Sequence, residues 1–414
     1  MSLLVLSSRR IVSRQSGYDL RVANLCAHLP GEAHLVIAPL QPDGATGSPA
    51  RGGDAGLHTD GIFASVRELS PVISGPPSAR RHLRLSQDHN LRVTHPVPFA
   101  RAQAELHDVV RDLDVTCVVV FGNDVAELAA TLGHIPVVLD VCDSNTLTLR
   151  RALVDSPRPS RGRRRWKDRL ALLREGVTES RYPKRFARVV AISDPDARAV
   201  EGRRGRAGSV VTIPNGVDEA FLGPLSAPGT RRGVAFWGNL AFGPNRDALW
   251  FFVHDVWLPI LRAASVELCI VGAGAPPWLV ELAATEPGIV LTGFVDDLRP
   301  VVTRYPIMIN PMRTGSGLKN KVLEAFGLGL VVVTTPLGVD AIPQLVAGEH
   351  AVCASEAEEL GRAVLSLLDD PGRLHALRGP ARELVDRHYR WEVIGRTWRA
   401  LVEGVRAPVS RTRR

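Results

Sequence analysis

Lysine is nearly missing from this chain: of its 51 basic residues only four are lysine and forty-seven are arginine. Two of the four, Lys319 and Lys321, stand in one short glycine-rich segment, a coincidence that composition does not explain. Cysteine is also sparse. Cys26, Cys117, Cys142, Cys269 and Cys353 form no C-x-x-C pair and have no neighbouring histidine partner, which argues against a disulfide or zinc framework and for buried free thiols in a reducing compartment. No apolar run approaches the roughly 20 residues that span a bilayer. The hydrophobic start, Met1 to Leu6, is too short for a secretory signal and reads as a first β-strand. A cytoplasmic protein is the expectation. Although the net charge is +8, no helix-turn-helix, zinc or aromatic-basic RNA pattern accompanies it, so nucleic acid is not an expected partner.

At 414 residues the chain exceeds the usual size of a single core, and two domains are expected. In the first half, short apolar runs at Leu3–Leu6, His34–Pro39, Val115–Phe121, Val137–Val141, Arg188–Ile192 and Val210–Ile213 alternate with helical patterns such as Leu20–Leu29 and Ala102–Leu113. Residues 41–61, rich in Gly, Pro, Ala and Asp, read as a mobile loop. A second alternation begins at Gly233, with strands expected at 233–237, 266–271, 289–292, 306–310, 330–334 and 350–353. Such βα repetition predicts mostly parallel sheets. The expected class is α/β with two Rossmann-like domains and a cleft between them. The boundaries are residues 1–221, a linker at 222–232, a C-terminal domain at 233–385, and a helix with a basic, disordered tail at 386–414.

The most informative segment runs from Asn310 through Gly315-Ser316-Gly317-Leu318-Lys319-Asn320-Lys321 to Glu324 and on to Thr334. It reads as strand, glycine-rich loop, helix and strand, a junction whose unpaired backbone N–H groups suit an anion. Lys321 and Glu324 lie one helical turn apart, away from the apolar positions Val322, Ala325 and Phe326, so a cation and a carboxylate are expected on one exposed edge. Phosphate suits the first and sugar hydroxyls the second. The competing reading is a solvated helix start with an intrahelical ion pair. Gly238-Asn239, Gly272-Ala-Gly274 and Gly293-Phe-Val-Asp-Asp297 each follow an apolar run in the same half, and loops at the carboxyl ends of parallel strands converge on one crevice.

Charge is uneven along the chain. Residues 150–206 hold eighteen Lys or Arg against seven Asp or Glu, densest at 158–169. Two readings stand: a solvated basic helix, or a segment that draws the chain toward an anionic acceptor or the surface of an anionic membrane, making it membrane-peripheral.

Taken together, Phe236-Trp-Gly-Asn-Leu-Ala-Phe-Gly-Pro-Asn-Arg-Asp-Ala248, Ile270-Val-Gly-Ala-Gly274, Gly293-Phe-Val-Asp-Asp-Leu298 and the Gly315–Glu324 loop and helix resemble the donor-binding domain of GT-B glycosyltransferases of the family 4, or glycosyl transferases group 1, type. Pro214-Asn-Gly-Val-Asp218 is similar to the segment that joins the two domains in that family, and Ser16-Gly-Tyr-Asp-Leu-Arg21 to its first strand–loop–helix junction. The resemblance implies a donor site formed by Gly17, Gly238, Asn239, Gly293, Val295, Arg313, Gly315, Ser316, Gly317, Leu318 and Glu324. In it Glu324 binds ribose hydroxyls, the Gly-rich loop approaches diphosphate and sugar, and the loop after Gly293 lines the base. The sequence departs from the family pattern at three positions. Ser316 stands where an earlier glutamate is common, and Asn239 and Asn245 stand where an arginine and a lysine often hold the diphosphate. Arg313, Lys319 or Lys321 is inferred to supply that charge, with Lys319 and Lys321 as the catalytic cations. Asp124, Asp140 and Asp143 end expected strands and are candidates to orient an acceptor hydroxyl, Asp143 foremost, against the plainer role of cap or turn carboxylate.

The resemblance implies transfer of a sugar from a nucleotide-diphosphate sugar, as co-substrate, to an acceptor hydroxyl, with retention and without a metal ion or other cofactor. The alternative is a nucleotide-sugar hydrolase or epimerase, or a non-catalytic binder, which the missing glutamate keeps open. A dinucleotide oxidoreductase is disfavoured because Gly272-Ala-Gly274 is followed by Ala-Pro-Pro-Trp and lacks the third glycine of the dinucleotide fingerprint.

Overall fold

The structure, a computed structural model, describes residues 2–10, 17–40, 61–73, 91–154, 162–202, 208–225 and 227–405. The loop expected over 41–61, save its last residue, lies outside these, as do Ser16, residues 158–161 of the basic segment and the tail 406–414. The chain divides into two compact units, one of residues 1–149, 161–214 and 394–414, the other of 150–160 and 215–393. From Ile394 on, the last helix, Trp391–Val405, therefore counts with the N-terminal unit.

The N-terminal unit is built on β1 (Ser2–Ser7), β2 (Glu32–Ile37), β3 (Ser65–Glu68), β4 (Val115–Phe121), β5 (Val137–Cys142), β6 (Arg188–Ala191) and β7 (Val210–Thr212). They form one parallel sheet in the order β3-β2-β1-β4-β5-β6-β7. Leu3–Leu6 and Val118–Phe121 are fully buried, as expected of central parallel strands covered on both faces. The edge strand β3 has no apolar run in Ser-Val-Arg-Glu and escapes a periodicity reading. Backbone pairing with β2 and a 2.8 Å hydrogen bond between His34 Nδ1 and Ser65 Oγ hold it, and its exposed charges suit an edge. Trp398, wholly buried, lies with its ring 6.0 Å from that of Phe121, so the last helix is part of this core.

The C-terminal unit repeats the scheme with β8 (Gly233–Trp237), β9 (Glu267–Val271), β10 (Ile289–Gly293), β11 (Ile307–Asn310), β12 (Val331–Thr334) and β13 (Ala351–Cys353), parallel in the order β10-β9-β8-β11-β12-β13. The chain winds outward from β8 to β10, then returns to the other side of β8 to lay down β11. Loops from β8 and β11 part there, at the topological switch point where open α/β sheets take ligands. The Pro214–Asp218 segment is locked to this unit by close packing: a Cβ on Gly216 would fall 2.6 Å from the Trp391 ring, and Val217 N–H donates to Tyr389 O at 2.7 Å.

One polar feature crosses the N-terminal core. Arg21, from the helix Gly17–Ala27, donates from Nε and Nη2 to the carboxylate of Asp140 on β5 at 2.7 and 3.2 Å, both side chains being almost wholly buried. Asp140 also accepts from Cys142 N at 2.9 Å. These bonds commit Asp140 to the core and remove it from the candidates for orienting an acceptor. Arg21→Ala should destabilise the unit by about 3–5 kcal/mol by leaving a buried carboxylate uncompensated. Arg21→Met combined with Asp140→Leu should recover most of that loss in denaturant titrations. A single mutant as stable as wild type would show the pair to be immaterial.

Candidate functional site

The sheet order of the C-terminal unit brings together residues far apart in sequence. Beyond β8 come Trp237, Gly238 and Asn239, and Asn245 follows in the first turn of the helix Gly243–Phe251. Beyond β11 come the glycine-rich loop and the helix Asn320–Leu328. Because β8 and β11 are neighbours, the two loops meet. The loops after β8 and β9 are closer still: Gly238 N–H donates to Val271 O at 3.0 Å, and a Cβ on Gly272 would lie 1.9 Å from Gly238 O. With φ at +148°, Gly272 tolerates no side chain.

At the meeting point sits Lys321. Its ammonium donates to Asn245 Oδ1 at 2.7 Å and lies 4.1 Å from the centroid of the Phe236 ring. Asn245 Nδ2 in turn donates to Asn239 O at 2.8 Å, and Asn239 Oδ1 accepts from Ala241 N at 3.0 Å. The two asparagines that stand at cationic positions of the family pattern are thus joined to each other and to a lysine from the first turn of the helix after β11. Lost hydration, with Lys319 nearby, pushes the Lys321 ammonium down to about 7, although Glu324 favours its charged form. Glu324, one turn on, accepts through Oε2 from Trp237 Nε1 at 2.8 Å. Burial raises its pKa above the ordinary carboxylate range, against the opposing pull of Trp237 and Lys321. Both side chains are half-buried and not on an exposed edge, which corrects the expectation from the helical pattern. Nor do they bond to each other: Trp237 and Asn245 take the places an intrahelical ion pair would have used.

The other expected cations are committed elsewhere. Lys319 is buried, and its Nζ donates to Ser316 O at 2.8 Å and Gly317 O at 2.7 Å, so it shapes the loop and is not a mobile charge. Arg313 forms a two-bond ion pair with Asp247 at 2.8 and 3.2 Å and covers the Phe251 ring at 4.3 Å. Gly315, Gly317 and Leu318 are buried and Ser316 half-buried. No side chain caps the N-terminus of the helix Asn320–Leu328, and Asn320 Oδ1 instead accepts from Asn215 Nδ2 at 3.2 Å, tying the Pro214–Asp218 segment to the helix start. Gly293 ends β10, the edge strand two places from β8, and half-buried Val295 follows it on the same end of the sheet, apart from the Lys321 cluster.

Sequence reasoning missed Trp237, Asn215, Asn320 and Asp247. Trp237 reads as the last core residue of a strand, and only its indole N–H, a donor that needs a partner when buried, could have marked it.

In the N-terminal unit the corresponding switch point lies between β1 and β4. There Tyr18 Oη donates to Phe121 O at 3.1 Å and shares a 3.0 Å hydrogen bond with Ser7 Oγ, while Arg9 covers its ring at 4.3 Å. Gly17, exposed, begins the helix that carries Tyr18. Asp124 accepts from Ser8 Oγ at 3.0 Å, whereas Asp143, beyond β5, is exposed.

A family model described as Glycosyl transferases group 1 matches residues 231–370, the segment that carries this cluster. A search of curated proteins gave no significant match. Among solved structures, Anabaena HepE in complex with UDP is 14% identical, with a TM-score of 0.64 over 98% of this chain and 100% of that one. Sucrose-phosphate synthase from Thermosynechococcus elongatus is 14% identical, with a TM-score of 0.67 over 98% and 99%. A glycosyltransferase from Rickettsia africae ESF-5 is 12% identical, with a TM-score of 0.62 over 99% of each chain. At such identities the likeness speaks for the fold, and the matched domain speaks for the family. The chain has the GT-B fold, and residues 231–370 of its C-terminal unit match a glycosyl transferases group 1 domain.

Proposed function

We propose that this protein moves a sugar from a nucleoside-diphosphate sugar to an acceptor hydroxyl, with retention at the anomeric carbon and without a metal ion. The observation that carries the reading is the Lys321–Asn245–Asn239 chain beside Glu324 at the switch point of the matched domain. Lys321 meets the diphosphate, helped by the N–H groups of the helix start, and stabilises the charge that develops on the departing nucleotide. Glu324, with one oxygen fixed by Trp237, accepts from the ribose hydroxyls. Lys319 keeps the carbonyls of the glycine-rich loop turned toward its own ammonium, which leaves that loop in one shape for the sugar. Asp143, exposed beyond β5, remains the proposed carboxylate for the acceptor. None of the five cysteines is in a disulfide, in keeping with a reducing cytoplasm.

A thermal-shift panel of UDP, GDP, ADP and dTDP identifies the base, with UDP first because HepE was solved with it. A nucleotide at 100 times its dissociation constant should add about 2.7 kcal/mol of stability. Nucleotide release that depends on added acceptor then separates transfer from hydrolysis.

Glu324→Ala should weaken binding of the matched nucleotide by about 1–3 kcal/mol with folding nearly unchanged, through loss of charge-assisted hydrogen bonds to ribose. Unaltered affinity by calorimetry would remove Glu324 from the site.

Lys321→Ala should lower turnover about 10- to 1000-fold, the scale of one preorganised charge stabiliser. The pH dependence has a defined sign. Lys321 in the empty site titrates at about 7, and a bound diphosphate favours its charged form, so its pKa rises on binding. At a pH one unit above that value, binding of a nucleotide sugar should take up a proton, and affinity should fall as pH rises through the empty-site value. The diester diphosphate of a nucleotide sugar has no ionisation of its own there. Calorimetry in buffers of different ionisation enthalpy reads the proton directly. Uptake unchanged in Lys321→Met would assign it to another group.

A further inference from the structure

The helix Gly162–Glu179 of the N-terminal unit is amphipathic in the wrong sense for a protein core. Its carboxylates face inward: Glu179 is wholly buried, accepting from Ser144 Oγ at 2.6 Å and from Asn145 N at 2.7 Å, and Glu175 is buried beside it. Its apolar side chains face outward. Trp166 is 69% exposed, Leu173 68% and Val177 43%, and Leu170 between them is half-buried. At about 100° per residue these four fall within an arc of roughly 60° opposite Glu175. Exposed Arg165, Lys167 and Arg169 and half-buried Arg174 flank the stripe on both sides.

We propose that this helix lies in the interfacial plane of an anionic lipid bilayer, with the Trp166–Leu170–Leu173–Val177 stripe sunk among acyl chains and the flanking cations against lipid phosphates. A narrow apolar stripe bordered by cations, with tryptophan at one end, matches the chemistry of that interface. Charge complementarity selects it over a second copy of this chain. Pairing two such helices would bring the same cations together, across a stripe of four side chains that is too small for a stable dimer. No described helix is long and apolar enough to cross the membrane, so the contact is peripheral. The inference stands apart from sugar transfer and is tested without donor or acceptor.

Co-sedimentation of the full chain with phosphatidylcholine vesicles, and with vesicles that also contain phosphatidylglycerol, reads the partition at low and high salt. The expected result is a partition about tenfold higher on the anionic vesicles, falling as salt rises. Trp166→Ser with Leu173→Ser should lower it about tenfold with the circular dichroism unchanged, since both side chains are exposed. A second variant, Arg165→Ser, Lys167→Ser and Arg169→Ser, should lose the lipid-charge and salt dependence while keeping the fold. Equal partition on both vesicle types, or no effect of either variant, would overturn the proposal. So would concentration-dependent dimerisation in sedimentation velocity that Trp166→Ser abolishes, because the stripe would then belong to a second copy.

Discussion

The adjacency of β8 and β11 is the constraint on which the C-terminal unit depends. A parallel sheet wound first one way and then the other must leave a gap between the loops that leave its two central strands, and no connection of the chain fills it. What fills it here is side-chain chemistry: Phe236 and Trp237 from the end of β8, and Lys321 and Glu324 from the helix after β11. The strands themselves are mostly apolar and alike in kind. Their order alone turns two sequence segments some eighty residues apart into one cluster, and the Gly272–Gly238 contact holds the adjoining loop against it.

Within that cluster the hydrogen bonds have a direction. Lys321 donates to Asn245, Asn245 donates to the backbone of Asn239, and the side chain of Asn239 closes the turn on Ala241. A neutral asparagine holds the ammonium without neutralising it, whereas Asp247 neutralises Arg313 and loop carbonyls engage Lys319. The difference matters for an anion. A guanidinium already paired with a carboxylate offers little net attraction, while an ammonium held by a neutral amide and a ring face has no carboxylate partner to cancel the charge it presents to a ligand. In the proposed site the glycine-rich loop and the cation on the following helix would therefore divide the work: Lys319 sets the loop's shape, and Lys321 would supply charge.

Much of this architecture is legible from the sequence because the strands are buried on both faces and read as unbroken apolar runs. Every strand of the C-terminal unit appears where β-branched runs predict it. The edge strand β3 is not legible, since an edge that must resist pairing carries charge in place of an apolar pattern. At the site, sequence spacing puts Lys321 and Glu324 on one face of one helix, which is correct, but it cannot say what packs over that face. Sheet order supplies Trp237 and Asn245, and these convert an expected exposed ion pair into two half-buried groups with separate partners. The three cations look equivalent in the sequence. Only tertiary contacts distinguish the one paired with Asp247 and the one turned onto its own loop from the one left facing an asparagine. The same limit applies to Asp140, whose position at a strand end suggests exposure, while Arg21 from the first helix draws it into the core.

The scarcity of lysine gains a physical sense at this point. Arginine is permanently charged and suits positions where a carboxylate or solvent always accompanies it, as with Arg21, Arg313 and most of the surface. A cation in a half-dry site that alternates between empty and occupied faces a different demand. Empty, it bears a desolvation penalty that a guanidinium cannot relieve; a lysine relieves it by releasing its proton, which is what titration near 7 expresses for Lys321. In the proposed complex, a diphosphate beside the same group would restore the proton and the full charge. In the proposed site Lys321 thus makes its charge conditional on the ligand, a task that an arginine at the same position, charged whether the site is empty or full, would not perform.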